Sequence, residues 1–415
     1  MVNLYIFNET SQAAVYGIGT YIRELTTALN DSDINVCIVH LRSEKPDEEP
    51  EETVGIHYWR FPPPINPPAS SDWNTQNDLY YRNIVYLLRL QIKNTDNLVF
   101  QLNYNKSGKL AEELRKSFDC RIVSVVHYLA WGLSVYDNQQ RLRSIVNKEP
   151  PDGFAKNLKK SFQEEKSLYA KLDHVICLSN YMHEILCRDY ELDAAKISVI
   201  PNGLKDTANT MSKNKLLRKK WKIPDREKIL LFAGRIDEAK GMGYLIKAYR
   251  EVLEKYPNSR LIIAGNGNYD TYMQKANDIC TKITFTGLLE KTKLHEWYQM
   301  ADIGVLPSLF ETFGYVAVEM MMHGLPVVAT ATSGLNEVVD DTCGLKVPII
   351  EQSDSVEIDT DLLAEKIMYL LQHPDKARKM GENGRKRYVS MYTSEIFGQN
   401  MLNFYHSLFK ICKTG

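Results

Sequence analysis

Short apolar runs alternate with amphipathic helical patterns along almost the whole chain, and this rhythm constrains the fold more than any other feature. The candidate strands of the first half are Leu4–Phe7, Val36–Leu41, Leu98–Gln101, Ile122–His127, Val175–Leu178 and Ile197–Ile200. Those of the second half are Ile229–Ala233, Arg260–Ala264, Ile283–Phe285, Ile303–Leu306 and Pro326–Ala329. Helical patterns such as Thr20–Leu29, Tyr244–Lys255, Lys291–Met300 and Leu362–Gln372 fall between them. A strand apolar on both faces needs cover on both sides. Strand, helix, strand in this order therefore predicts right-handed crossovers and mostly parallel sheets sandwiched by helices.

The length, 415 residues, is too great for one such unit and suits two. A boundary is expected between 204 and 226, where Ile200-Pro-Asn-Gly203 reads as a turn and a polar stretch leads into a basic helix, Lys213–Lys222. The Arg218-Lys-Lys220 run reads as a solvated helix face. Two similar halves imply an interdomain cleft, the usual place for a ligand. Lys45–Asp72 breaks the rhythm with acidic residues and then Phe61-Pro-Pro-Pro-Ile-Asn-Pro-Pro68, so much of it should be loop, either a lid or a surface excursion.

Composition removes several function classes. The 51 basic and 52 acidic residues nearly cancel, so no global field steers the chain to nucleic acid. The seven cysteines are dispersed without a Cys-x-x-Cys pair or histidines at ligand spacing, which speaks against structural zinc and for reduced thiols. Met1–Phe7 runs straight into a strand-like segment, and no stretch has the ~20 apolar residues of a membrane span. The expected location is the cytoplasm, at most peripheral to the inner membrane face.

Candidate chemistry gathers at strand ends. Strand Ile229–Ala233 runs into Gly234-Arg-Ile-Asp-Glu-Ala-Lys-Gly241, where Arg235 and Lys240 flank the turn into a helix. Two cations beyond the carboxyl end of a strand suit a pyrophosphate, and the helix amides add to them. The alternative is a pair of solvated charges. Pro307-Ser-Leu-Phe-Glu-Thr-Phe-Gly-Tyr-Val-Ala-Val-Glu-Met320 carries Glu311 in the loop after a strand and Glu319 inside the next helix. Eight residues of helix rise ~12 Å, beyond the ~5–9.5 Å of a glycosidase carboxyl pair, so the two suit the two ends of one elongated ligand. The amides from Thr312 through Phe313, Gly314 and Tyr315 would open that helix toward an anion. As structural residues instead, Glu311 would be an N-cap and Glu319 a surface group. Gly17 and Gly19, opening a helix after the first strand, let backbone amides approach a phosphate or sugar. They do not make a dinucleotide fingerprint. His127 ends a buried strand and reads either as a satisfied core histidine or as a cleft residue.

The ordered set Gly234-Arg235…Lys240-Gly241, Glu311-x7-Glu319 within its Pro-Ser…Phe-Gly frame, Gly324-Leu-Pro-Val-Val-Ala329 and Gly334-Leu-Asn-Glu337 resembles family 4 of the retaining, GT-B-fold glycosyltransferases. The N-terminal glycines, His127 and Ile200–Gly203 extend the resemblance over nearly the whole chain. It implies an α/β architecture of two Rossmann-like domains facing each other across a deep cleft. An acceptor-side domain would span 1–204, with a C-terminal helix, 393–415, crossing back to it, and a donor domain would span 205–392. It also implies roles. Arg235 and Lys240 would hold the donor pyrophosphate, and Glu319 the ribose. Glu311 would contact the transferred sugar, helped by the Phe313–Tyr315 backbone. Gly17 and Gly19 would border the phosphates, His127 would bond the donor sugar, and Asn202 would lie near the hinge. The implied partners are a nucleoside-diphosphate sugar, most often of uridine, and a glycan, lipid-linked or protein hydroxyl. No metal or other cofactor is implied. Two departures stand out. Tyr128 follows the histidine where relatives often carry Asp, and Glu337 reads equally as a motif carboxylate or a surface group.

Asp359-Thr-Asp361 matches a metal-binding D-x-D but precedes a helical pattern and reads as a helix start. Gly265-Asn-Gly267 is too short to assign, and Gly108-Lys109 lacks the upstream glycine of a phosphate-binding P-loop. The competing functions are another enzyme of this architecture (an epimerase or phosphorylase), a nicotinamide-dependent oxidoreductase, and a non-catalytic sugar-nucleotide-binding partner. The helix Leu79–Ile92 is aromatic, apolar and lightly basic, which suits either core packing or a lipid surface.

Overall fold

The computed structural model describes residues 1–9, 17–44, 56–64, 73–148, 152–208 and 214–409. Its first sheet comprises β1 (Val2–Glu9), β2 (Ile34–Leu41), β3 (His57–Arg60), β4 (Leu98–Leu102), β5 (Arg121–Val126), β6 (His174–Cys177) and β7 (Ile197–Val199). They lie in the order β3-β2-β1-β4-β5-β6-β7. The second comprises β8 (Lys228–Ala233), β9 (Ser259–Ala264), β10 (Ile283–Gly287), β11 (Ile303–Leu306), β12 (Val327–Thr330) and β13 (Gly344–Val347), ordered β10-β9-β8-β11-β12-β13. Every neighbouring pair in both sheets is parallel. Each sheet starts at an inner strand, winds out to one edge, then reverses. The reversal points are β1/β4 and β8/β11, and loops leaving such a pair diverge to leave a crevice.

The first unit contains residues 1–129, 150–203 and 394–415, and the second 130–149 and 204–393. Residues 130–149, expected in the first domain, thus pack with the second unit. Asn138 caps its own helix through Arg141 N at 2.9 Å and donates to Gln352 O at 2.6 Å, while Arg141 reaches Asp354 O at 2.6 Å. These carbonyls sit between strands Ile349–Glu351 and Val356–Ile358 of a small antiparallel ribbon. In the second unit, Leu230, Phe232, Ile263, Val305 and Val328 project from the sheet into one core with Leu245, Tyr249 and Ile367 of the covering helices.

The last helix, Ser394–Ser407, packs on Gly17–Leu29 of the first unit. The contact depends on a glycine, since a Cβ on Gly398 would stand 2.6 Å from Ala28 Cβ. Phe397, Met401 and Tyr405 are buried there, with Phe397 edge-on to Tyr21 at 5.5 Å.

Several expectations change. β3 falls inside the excursion predicted as mostly loop. It is an edge strand pairing only with β2, and Pro62–Pro64 follow it where no ladder has to continue. The remainder of Lys45–Asp72 lies outside the described residues. β13 is a second edge strand the apolar pattern missed, because it opens on glycine and carries a lysine. Arg218 is not solvated but 6% exposed, donating to Asp302 Oδ2 at 2.7 Å, Met300 O at 3.0 Å and Glu227 O at 2.8 Å. Asp359 accepts from the amides of Asp361 and Leu362 at 3.0 and 2.9 Å and starts the helix Thr360–Gln372, as predicted. No described helix is long and apolar enough to cross a membrane.

Phe397→Ala should open a cavity between the terminal helix and the first sheet's cover. A loss of about 3–5 kcal/mol is expected, read as an earlier urea unfolding transition. An unchanged transition would show that the helix is not part of that core.

Candidate active site

The second unit's reversal point places the sequence-predicted groups on two loops. The first leaves β8 at Gly234 (φ +143°), carries Arg235 and Lys240, and closes at Gly241 (φ +68°) into helix Met242–Lys255. The second leaves β11 at Pro307, carries Glu311, and closes at Gly314 (φ +96°) into helix Tyr315–Met322. A Cβ on Gly241 would fall 1.8 Å from Pro307 O, and Leu309 N donates to Ala239 O at 2.8 Å. Only glycine permits that approach, so the two loops are fixed against each other.

The approach brings Lys240 Nζ onto Glu311 Oε2 as an ion pair, both side chains being mostly buried. Arg235 is more exposed and lies 3.1 Å from Asp237 Oδ2, while Asp237 Oδ1 also accepts from Lys240 N at 3.0 Å. Asp237 thereby shapes the turn that presents both cations. Glu319 is in the helix, as predicted, and 9% exposed. Its Oε2 accepts from Tyr298 Oη at 2.7 Å, and burial beside that carboxylate drives the phenol pKa far above its usual value. The ~12 Å helical spacing between Glu311 and Glu319 does not apply, because the helix begins only at Tyr315. Phe313 is buried, edge-on to Tyr315 at 5.3 Å and Tyr392 at 5.8 Å. It anchors the loop just before the helix starts at Tyr315.

A third layer holds this loop from behind, and its two threonines carry no sequence motif. Thr330 Oγ1 donates to Ser308 O at 2.5 Å, and Thr332 Oγ1 to Leu309 O at 2.9 Å. A Cβ on Gly334 would lie 2.0 Å from Thr312 O. The Gly334–Glu337 motif therefore acts here through its backbone and its lack of a side chain at 334. The Glu337 carbonyl accepts from Arg387 at 2.7 Å.

Residues 130–138 add a further brace. A Cβ on Gly132 would meet the Phe310 ring at 2.5 Å. Ser333 Oγ donates to Asp137 Oδ2 at 2.6 Å, and Tyr136 neighbours Glu238, whose charge raises the Tyr136 pKa after burial has done so. Tyr136 and Asp137 are consecutive left-handed residues, φ 50° and 66°, a conformation that side chains other than glycine adopt at a cost. Nothing in the sequence pattern singles out this segment.

The first unit presents its own candidates separately. Gly17 and Gly19 lie in the first turn of helix Gly17–Leu29, with open space around Gly17. His127 follows β5, edge-on to Tyr21 at 4.7 Å. Its Nε2 lies 3.0 Å from Asn103 Oδ1, and Asn103 donates its amide to Phe7 O at 2.9 Å. Asn103 Oδ1 must therefore accept from Nε2–H, which fixes the tautomer and makes Nδ1 the ring's acceptor. Enclosure by its neighbours pushes the pKa of His127 down to about 3, so the ring is neutral at physiological pH. Gln101 links this pair to the terminal helix, donating to Asn103 at 3.4 Å and accepting from Tyr405. Asn202 is buried in the turn after β7, and its Oδ1 has no hydrogen-bond partner among the described residues. Among the described residues no group of His, Cys, Asp and Glu could hold a metal ion.

Residues 213–387 match the family described as glycosyl transferases group 1, and residues 15–207 match glycosyltransferase family 4. An uncharacterised glycosyltransferase of Methanocaldococcus jannaschii is 35% identical over 175 residues, 40% of this chain and 44% of that protein. The α-D-kanosaminyltransferase of Streptomyces kanamyceticus is 26% identical over 252 residues, 59% of this chain and 63% of that one. The chain thus spans less than two thirds of each of these relatives. In fold, sucrose-phosphate synthase of Thermosynechococcus elongatus superposes over 99% of both chains with a TM-score of 0.78 at 23% identity. With both units matched in order and each built as a doubly wound sheet, the chain belongs to the family 4-like glycosyltransferases of the GT-B fold.

Proposed function

We propose that the protein transfers a hexosyl-type sugar from a nucleoside-diphosphate sugar, UDP being the favoured carrier, to an acceptor hydroxyl with retention of anomeric configuration. The setting would be cytoplasmic synthesis of a cell-surface polysaccharide or glycoconjugate. The single observation that carries this is the Lys240–Glu311 ion pair at the second sheet's reversal point, with Arg235 on the loop of Lys240 and Glu319 in the helix that follows Glu311.

In this reading Arg235 and Lys240 take the diphosphate, which replaces Asp237 and Glu311 as their counter-charge. Glu311, released from Lys240, turns to the sugar, with the Gly314 and Tyr315 amides beside it. Glu319 accepts from the ribose hydroxyls, steadied by Tyr298. Gly17 and Gly19 border the phosphates. His127, neutral and with Nε2–H fixed by Asn103, offers Nδ1 to a hydroxyl, and Asn202 supports the turn leading into the second unit. The bond from C1 to the diphosphate oxygen breaks, a bond from C1 to the acceptor oxygen forms, and the acceptor proton passes to a phosphate oxygen of the leaving group. The protein's contribution is positioning and stabilisation of the charge that develops on the diphosphate. The two cations supply the positive charge, so the reading needs no divalent ion.

A panel of sugar nucleotides, incubated with the full chain in EDTA and followed by nucleoside-diphosphate release, tests this. One donor should turn over, and Arg235→Ala and Glu319→Ala should each slow it by roughly 100-fold or more while the fold is retained. Full activity in either variant would remove that residue from the site. Binding without turnover, even with a broad acceptor panel, would favour the non-catalytic partner. Isomerised sugar or sugar phosphate as product would favour an epimerase or phosphorylase.

The brace at 130–138 gives a second expectation. Asp137→Ala removes a hydrogen bond to Ser333, so KM for the donor should rise roughly ten-fold with kcat little changed, and Asp137→Asn should restore it. An unchanged KM in Asp137→Ala would show that the loop does not depend on the brace.

A further inference from the structure

The helix Trp73–Gln91 is apolar on two opposite faces, and only one of them has a partner within the described structure. Tyr80, Tyr81, Ile84, Val85, Leu88 and Ile92 are buried against the first unit. At about 100° per residue, Leu79, Tyr86 and Leu90 fall on one line on the opposite side, with Leu87 at its edge. They are 56%, 61%, 53% and 41% exposed respectively. A helix hydrophobic all round normally lies inside a protein, so core packing accounts for only half of this sequence.

Basic residues dominate the flank of the exposed line. Arg82, Arg89 and Lys93 run along its flank, all exposed, and no acidic residue occurs between Leu79 and Lys93. The nearest carboxylates are already engaged by lysines. Asp78 lies 3.5 Å from Lys109, and Glu113, 3.8 Å from Arg82, also pairs with Lys109 and Lys116. Leucine and tyrosine on the outer line with arginine and lysine beside them match a surface that is apolar below and anionic above. That is the acyl-headgroup boundary of an anionic bilayer, where a tyrosine ring sits with its hydroxyl in the headgroups and basic stems extend toward phosphate.

We propose that this helix docks the protein on an anionic lipid surface, with Leu79, Tyr86 and Leu90 entering the interface and Arg82, Arg89 and Lys93 meeting lipid phosphates. The contact is peripheral and salt-sensitive, since its charges act within a Debye length. It would place the acceptor-side unit next to a membrane and so favour lipid-linked acceptors. The docking itself does not depend on the donor chemistry proposed above.

Co-sedimentation of the full chain with vesicles of phosphatidylcholine plus phosphatidylglycerol, against phosphatidylcholine alone, tests the proposal. Binding is expected only to the anionic vesicles, weakening as salt rises. The combined variant Leu79→Ser, Tyr86→Ser, Leu90→Ser should lose roughly ten-fold or more of it. Arg82→Gln with Arg89→Gln should do the same. Both variants change exposed side chains, so wild-type thermal unfolding is expected and checks that the fold is kept. No binding of the wild type to anionic vesicles at low salt would overturn the proposal, as would equal binding by the folded triple variant. A wild-type dimer in sedimentation velocity that the triple variant abolishes, without vesicle binding, would assign the face to a second copy instead.

Discussion

The contact between Gly241 and the Pro307 carbonyl is the constraint on which the candidate site depends. A side chain at 241 would occupy the carbonyl's own position, so the loops leaving β8 and β11 can meet only through a glycine. Once they meet, Lys240 and Glu311 form their ion pair, and Asp237 joins the turn to Arg235. Both loops also leave strands buried in a parallel sheet, which is a stiffer support than a surface loop would have. The threonines at 330 and 332 and the gap at Gly334 then fix the second loop from the far side.

In the proposed function the charges are exchanged and not merely presented. Arg235 and Lys240 each already have a carboxylate, so what a bound diphosphate gains is the difference between two counter-ions. A dianion with several acceptor oxygens can satisfy both cations at once, which two separate carboxylates on a crowded loop do less well. Glu319 is held differently. It is buried, and the Tyr298 hydroxyl partners it, so its desolvation is offset by a fixed donor.

The amino-acid pattern made the fold legible because parallel strands covered on both faces are continuously apolar, and every strand it named is present within a residue or two at most ends. β3 and β13 escaped it because edge strands need not be apolar. Arg218 misled for a related reason. It sits in a basic run, yet three acceptors from elsewhere in the chain make its burial tolerable, and composition does not show partners distant in sequence. That Arg235, Lys240 and Glu311 lie on loops at strand ends and Glu319 in a helix was legible because those positions are local in the sequence. The Thr330/Thr332 supports, the Asn103–His127 pair and the Asp137–Ser333 bond could not, because each joins positions far apart in the chain.

In the proposed function the loops leaving β8 and β11 hold a nucleoside diphosphate through Arg235 and Lys240. Isothermal titration of UDP and GDP into the full chain, wild type against Lys240→Ala, tests it most directly. The wild type should bind at least one of the two, and the variant should bind it roughly 10- to 100-fold more weakly. Equal binding by the two proteins, or no binding of either nucleotide by the wild type, would contradict it.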